Sequence, residues 1–164
     1  MNYHNITKDE MLNGEGLRVV LWVAGCNHHC PGCQNPVTWE EDGGLPFDEA
    51  AEEELFEALG RDYISGITFS GGDPLFPANR KEVTRLAKKI KETMPDKNIW
   101  LYTGYRWEEI SADPAIQYID VLIDGRFVQD LMDPKLHWKG SFNQRIIDVQ
   151  KSLKTCSLHL YAAE

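Results

Sequence analysis

Cys26, Cys30 and Cys33 stand together in the run CNHHCPGC. Their C-x3-C-x2-C spacing is uneven, unlike the paired C-x2-C units of zinc ribbons. A four-iron cluster takes one thiolate per iron, so four cysteines saturate it. Three leave one iron open, and an open iron is a place for a substrate to bind and react. The competing reading is a structural zinc site of Cys3His type, with His28 or His29 as the fourth ligand. A fourth cysteine, Cys156, is isolated and reads as a packed or free thiol. Both histidines of the triplet read as exposed loop residues, solvated or shielding the metal; His4, His137 and His159 are scattered and read as structural.

The triplet needs a scaffold, and the apolar pattern supplies one. Leu17 to Gly25 (LRVVLWVAG) is β-branched, apolar and ended by glycine, so it reads as a buried strand feeding straight into the cysteines. Asp48 to Leu59 has helical apolar spacing, with Asp48 as N-cap and Gly60 as C-cap. Gly66 to Phe69 predicts a strand running into SGGDP. Asn79 to Thr93 predicts a second amphipathic helix, with Val83, Leu86, Ala87 and Ile90 on one face and Lys88, Lys89 and Lys91 solvated. Asn98 to Thr103 predicts a strand, Trp107 to Ile110 a short helix, and Ile119 to Ile123 a strand leading to Asp124-Gly125. Two further strands are expected at Arg145 to Val149 and Ser157 to Tyr161.

Strands alternating with helices call for a mostly parallel sheet with right-handed crossovers. Such α/β sheets bind ligands beyond the carboxyl ends of their strands. The candidate motifs all fall there: CNHHCPGC, SGGDP, TGY and DGRF follow four successive strands. The expected architecture is an incomplete (β/α) barrel, because a full one takes roughly 250 residues and this chain has 164. A single domain over residues 1–164 is expected.

With these residues in view, the cysteine triplet followed by SGGDP resembles the radical S-adenosylmethionine enzymes. The resemblance continues through Asn13-Gly14, Trp39, the TGY and DGRFV segments and KGSFNQR (139–145). Over nearly the whole chain it points to the activating enzymes of anaerobic ribonucleoside-triphosphate reductases. It implies a [4Fe-4S] cluster held by Cys26, Cys30 and Cys33. S-adenosyl-L-methionine would chelate the fourth iron through its amino and carboxylate groups. An electron from the cluster would cleave the sulfonium bond, and the resulting adenosyl radical would take hydrogen from a glycine of the reductase, the protein substrate. The chemistry is centred on the cofactors, so no catalytic acid or base is expected of the side chains.

The same resemblance implies cofactor contacts. Gly32, Cys33 and Gln34 would lie near adenine, although Gly32 replaces the aromatic residue of many superfamily members and Gln34 the aromatic residue of nearer ones. Ser70, Gly71, Gly72 and Asp73 match the family's glycine-rich element, which binds the methionyl ammonium or, at Asp73, orients the loop. Thr103 and Asp124 would meet the methionine part or a nearby cation, or else satisfy turns. Arg126 suits either a ligand carboxylate or a surface ion pair. Asn143 and Gln144 would position the partner's glycine segment or close a loop. A flavodoxin-type electron donor, and a homodimer or a heterotetramer with the reductase, also follow from the resemblance.

Composition narrows the field. Lys and Arg number 17 against 26 Asp and Glu, a net charge of −9, which disfavours gripping nucleic acid. No segment approaches the roughly 20 apolar residues of a membrane span, and the N-terminus lacks the basic-then-apolar layout of a signal peptide. A cytoplasmic location is expected, where thiols stay reduced. The remaining alternatives are an activase of another glycyl-radical enzyme (formate-lyase type), a non-catalytic iron–sulfur electron carrier with a fourth ligand such as Cys156, and a zinc-stabilised binding module.

Overall fold

A computed structural model describes residues 1–162. The elements follow as β1 (Asn2–Glu10), β2 (Arg18–Val23), β3 (Leu45–Pro46), α1 (Glu49–Leu59), β4 (Gly66–Gly71), α2 (Pro77–Thr93), β5 (Asn98–Tyr102), α3 (Trp107–Ile110), β6 (Val121–Asp124), β7 (Arg145–Asp148) and α4 (Val149–Thr155). The strands form one mixed sheet in the order β3-β1-β2-β4-β5-β6-β7. The middle four run parallel, and β1, β3 and β7 pair antiparallel at the two ends. The sheet is open: β3 and β7 are its edges, and it does not close into a barrel.

Alternation along the central strands sorts their residues to two faces. Val19, Leu21, Val23, Ile67, Phe69, Ile99, Leu101 and Leu122 join the main core, together with Leu55 and Leu59 of α1 and Val83, Leu86 and Ile90 of α2. The opposite residues of the same strands lie on the other face. There Trp100, Val121 and Ile123 form a second cluster with Tyr102, Trp138, Ile146 and Tyr161. Arg18 is wholly buried on this face too. Its guanidinium donates to Thr68 Oγ1 (2.8 Å), the Ile67 carbonyl (2.7 Å) and the Glu15 carbonyl (3.0 Å), and lies 5.3 Å from the Trp100 ring. Burial lowers its pKa to about 10, so these bonds stabilise a guanidinium that is still charged at neutral pH.

The helices begin as their sequences dictate. Asp48 caps α1 by accepting from the Ala51 amide at 2.9 Å. Proline opens α2 two residues earlier than the apolar pattern indicates, at a position where its missing N–H costs nothing. Four elements differ from the expectations, the two-residue strand β3 among them. β1 is a full strand in a segment with only one buried residue, Ile6. α4 occupies 149–155, with Asp148 accepting from the Lys151 amide. The strand expected at Ser157 to Tyr161 is reduced to a single bridge, Ile147 to Leu160, because α4 and its left-handed cap at Cys156 leave only a short return along β7.

Candidate metal and cofactor site

Backbone bonds draw the carboxyl-end loops together. The chain leaves β2 through Ala24-Gly25 and enters the cysteines. The Gly25 amide donates to Thr38 O (2.8 Å) and the Cys26 amide to Trp39 O (3.0 Å). From the neighbouring strand, the Gly72 amide donates to Val23 O (2.8 Å) and the Asp73 amide to Gly25 O (2.7 Å). Two glycines make this approach feasible. Gly71 has φ +105°, and a Cβ there would stand 2.5 Å from Val23 N; one on Gly72 would stand 2.5 Å from Gly25 O. The turn therefore lies backbone to backbone against the root of the cysteine loop.

The three loop cysteines are free, partly exposed thiols lining one pocket. Burial pushes the Cys26 and Cys30 thiols up. Backbone N–H groups oppose that shift: those of His28 and His29 face the Cys26 sulfur and that of Phe127 faces Cys30. The Asn35 amide donates to Cys33 Sγ at 3.4 Å. Amide donors aimed at sulfur stabilise the thiolate, the form that ligates metal. Trp39, in the wall of the same pocket, has a buried indole N–H with no partner among the described residues. Among those residues no three His, Cys, Asp or Glu side chains are gathered closely enough for a single ion. A four-iron cluster spreads its thiolates over three different irons. Three free thiols lining one pocket, each faced by a backbone N–H, are a donor set that fits such a cluster.

Gln34, Ser70, Gly71, Gly72, Asp73 and Thr103 line this pocket with the cysteines. Asp73 is buried, and its carboxylate is already occupied. Oδ1 accepts from the Leu75 amide (2.8 Å); Oδ2 accepts from Thr103 Oγ1 (3.0 Å), the Gly104 amide (2.9 Å) and His28 Nε2 (2.7 Å). Those four donors match the acceptor capacity of a carboxylate. The arrangement favours the loop-orienting role for Asp73 and leaves ligand contact to neighbouring backbone groups. Thr103 also accepts from the Tyr105 amide at 3.1 Å.

Two expected contacts stand elsewhere. Gly32 is exposed and packs its backbone on the Gln129 side chain. Asp124 borders an adjoining pocket, and its buried carboxylate accepts from the Trp107 amide (2.8 Å) and from Arg145 Nε (3.1 Å) and Nη2 (2.5 Å). Arg145 also pairs with Glu108. Arg126 is exposed, borders this pocket and a third one beside Cys30, and has no ion pair among the described residues. Asn143 donates to the Arg126 carbonyl (2.7 Å). Gln144 donates to the Gly125 carbonyl (3.0 Å) while its own oxygen accepts from the Gly140 (2.9 Å) and Ser141 (3.1 Å) amides. Both side chains stitch loops together. Cys156 is exposed at the end of α4 and is not among the pocket's lining residues.

The expectation of two solvated histidines holds only for His29, which is exposed and stacks on Trp39 with ring centres 4.4 Å apart. The His28 side chain is 4% exposed, drawn inward by the Asp73 carboxylate. Trp22 and Tyr102 also line the pocket without having been singled out by motif, as does Phe127 of the DGRF segment, which was given no role of its own. Strand alternation carried the signal for the first two: each lies on the face opposite the main core, near a strand's carboxyl end.

Comparison with known proteins adds a separate line of evidence. Residues 12–147 match the family model described as a 4Fe-4S single cluster domain. The chain is 45% identical over 146 residues to the anaerobic ribonucleoside-triphosphate reductase-activating protein of Enterobacteria phage T4, covering 89% of this chain and 93% of the relative. It is 45% identical over 148 residues to the Escherichia coli K12 protein of the same name (88% and 96% covered), and 45% identical over 152 residues to that of Pasteurella multocida (89% and 96%).

Proposed function

This chain belongs to the family of anaerobic ribonucleoside-triphosphate reductase-activating proteins, and we propose on that premise that it installs a glycyl radical on such a reductase. Cys26, Cys30 and Cys33 hold a [4Fe-4S] cluster, and S-adenosyl-L-methionine binds beside it. When bound, this pair supplies one-electron cleavage of the sulfonium bond, ending in a radical on a glycine of the partner. The chain's own residues bind, orient and shield. Backbone amides support the three thiolates. Ser70, Gly71 and Gly72 offer main-chain groups to the methionyl end, with Asp73 and Thr103 fixing that turn. Gln34 reaches the nucleoside side, beside Gly32 and Cys33. Asp124 acts by anchoring Arg145 beside the pocket.

The observation that carries this reading is the meeting of three free thiols, each faced by a backbone N–H, with the SGGDP turn in one pocket. We read residues 1–164 as one domain and the open sheet as an incomplete (β/α) barrel, with the site at the carboxyl ends of its parallel strands. A flavodoxin-type donor, assembly with the reductase as a heterotetramer or as a homodimer of this chain, and a cytoplasmic location complete the proposal. The absence of any helix among the described residues long and apolar enough to cross a membrane is compatible with it. The electron-carrier alternative needs a fourth ligand, and Cys156 stands apart from the pocket.

Anaerobic reconstitution tests the proposal. The protein should turn brown with about four irons per chain, and with S-adenosylmethionine and a strong reductant it should release methionine and 5′-deoxyadenosine. With the reductase, electron paramagnetic resonance should show a glycine-centred radical. Alanine at Cys26, Cys30 or Cys33 should abolish all of this, whereas Cys156→Ala should not. A colourless protein with one zinc, or a radical formed only on a formate-lyase-type partner, would overturn it.

A further inference from the structure

We propose that His28 is a positioning residue whose single buried bond couples the cysteine loop to the SGGDP turn. The inference rests on the function proposed above and deepens it. His28 Nε2 meets Asp73 Oδ2 at 2.7 Å, and the two side chains are 4% and 2% exposed. A carboxylate oxygen only accepts, so the Nε2 tautomer carries the hydrogen. The ring is held on its other sides as well. It packs edge-on to Tyr105 with ring centres 4.7 Å apart. It also presses on Gly104, where a Cβ would come within 2.5 Å of ring Cδ2.

His28 therefore belongs to the cysteine loop by sequence and to the ends of β4 and β5 by contact. The Asp73 oxygen it donates to also accepts from Thr103 and Gly104. Its own backbone N–H faces the Cys26 sulfur. The root of the loop is already tied to the turn by the Asp73 amide on the Gly25 carbonyl, and the His28 bond adds a second tie at the middle of the loop. With both ties in place, the metal-binding and cofactor-binding halves of the pocket move as one body. A solvated histidine in the C-x3-C spacer would leave the root joined and the middle of the loop free of the turn proposed to hold the sulfonium cofactor.

The test compares the intact chain with His28→Ala and His28→Gln. Glutamine keeps an N–H donor at similar reach and removes the ring. The first readout needs no cofactor: amide hydrogen exchange of the metal-free chain at Gly104 and Leu75, both bonded to Asp73. The second is the change that S-adenosylmethionine makes in the electron paramagnetic resonance of the reduced cluster, titrated to half-saturation. His28→Ala keeps all three cysteines and should still bind iron. Its Gly104 exchange and its half-saturating concentration should each rise about tenfold, the scale set by one hydrogen bond to a buried charge. His28→Gln should recover most of both.

If His28→Ala matches the parent in exchange and titration, the coupling role is wrong. It is equally wrong if His28→Gln is as impaired as alanine, because the donor would then not be the agent. Should the alanine variant not fold, the glutamine variant alone decides, parent-like values supporting the role and impaired ones overturning it. Failure of the parent chain itself to respond to S-adenosylmethionine would sink the proposed function. The exchange arm would still judge the coupling.

Discussion

In the pocket and beside it, the buried carboxylates are already occupied by protein donors. Asp73 holds loops together, and Asp124 holds Arg145. Glu108 shares that guanidinium, at 2.8 Å from Arg145 Nη2, and the hydrogen bond from Arg145 lowers its pKa to about 2. The sign follows from linkage. A carboxylate depressed below its unfolded value of about 4.3 stabilises the fold above that pH and loses its contribution as pH falls through about 2. Glu108→Gln should therefore destabilise the chain at pH 7 by less than about 1 kcal/mol, since the pair is exposed and screened. The difference should shrink below pH 4. Urea titrations at pH 7 and pH 3 would read it; an equal deficit at both would show that the charge is not the cause. At this scale the cysteine triplet and the glycine pair were legible by type and spacing. The burial of His28 was not, because a histidine flanked by polar residues in a loop carries no mark of the carboxylate that will bury it.

Among the elements, the parallel core and the edge strand β7 were legible, and β1 and β3 were not. β2, β4, β5 and β6 are buried on both faces and mostly apolar, and their β-branched runs announce themselves. β1 is a polar strand next to the sheet's edge, NYHNITKDE, whose order comes from pairing with β2 and β3 and not from its own pattern. α4 is a short helix of about two turns whose clearest sequence signal is the Asp148 cap. The Ser157 to Tyr161 segment alternates as a strand does, yet the preceding helix leaves it one bridge to β7. The junction of β4 with its turn is where element geometry and site geometry meet. Gly71→Ala forces a Cβ into a left-handed position 2.5 Å from the Val23 amide nitrogen. It should cost about 2–3 kcal/mol of stability and weaken iron retention, because the turn can no longer press on the root of the cysteine loop. Equilibrium unfolding with iron analysis would check this, and a loss under about 0.5 kcal/mol would mean that the contact is dispensable.

For the molecule as a whole, the protein substrate must reach a pocket at the carboxyl ends of the strands. Several exposed apolar residues flank that pocket: Leu12 beside Asn13, Val37 beside Thr38, Val128 beside Phe127, and Phe142 between Gly140 and Gln144. Apolar side chains left in water around one opening suit a macromolecular contact. Hydrogen exchange with the reductase present should protect residues 11–16, 35–39, 126–132 and 139–145 and leave α1 and α2 unchanged. Protection confined to the helices would place the partner on the wrong face.

The cysteine loop carries one last implication. Its start is pinned by amide bonds to Thr38 and Trp39, and its middle by a histidine sunk into the protein body. A vessel braced in this way keeps its shape when emptied. Oxygen that strips the inorganic core would then leave an undamaged mould, and recovery after a spell in air would ask for fresh iron and sulfide, not for a newly synthesised polypeptide.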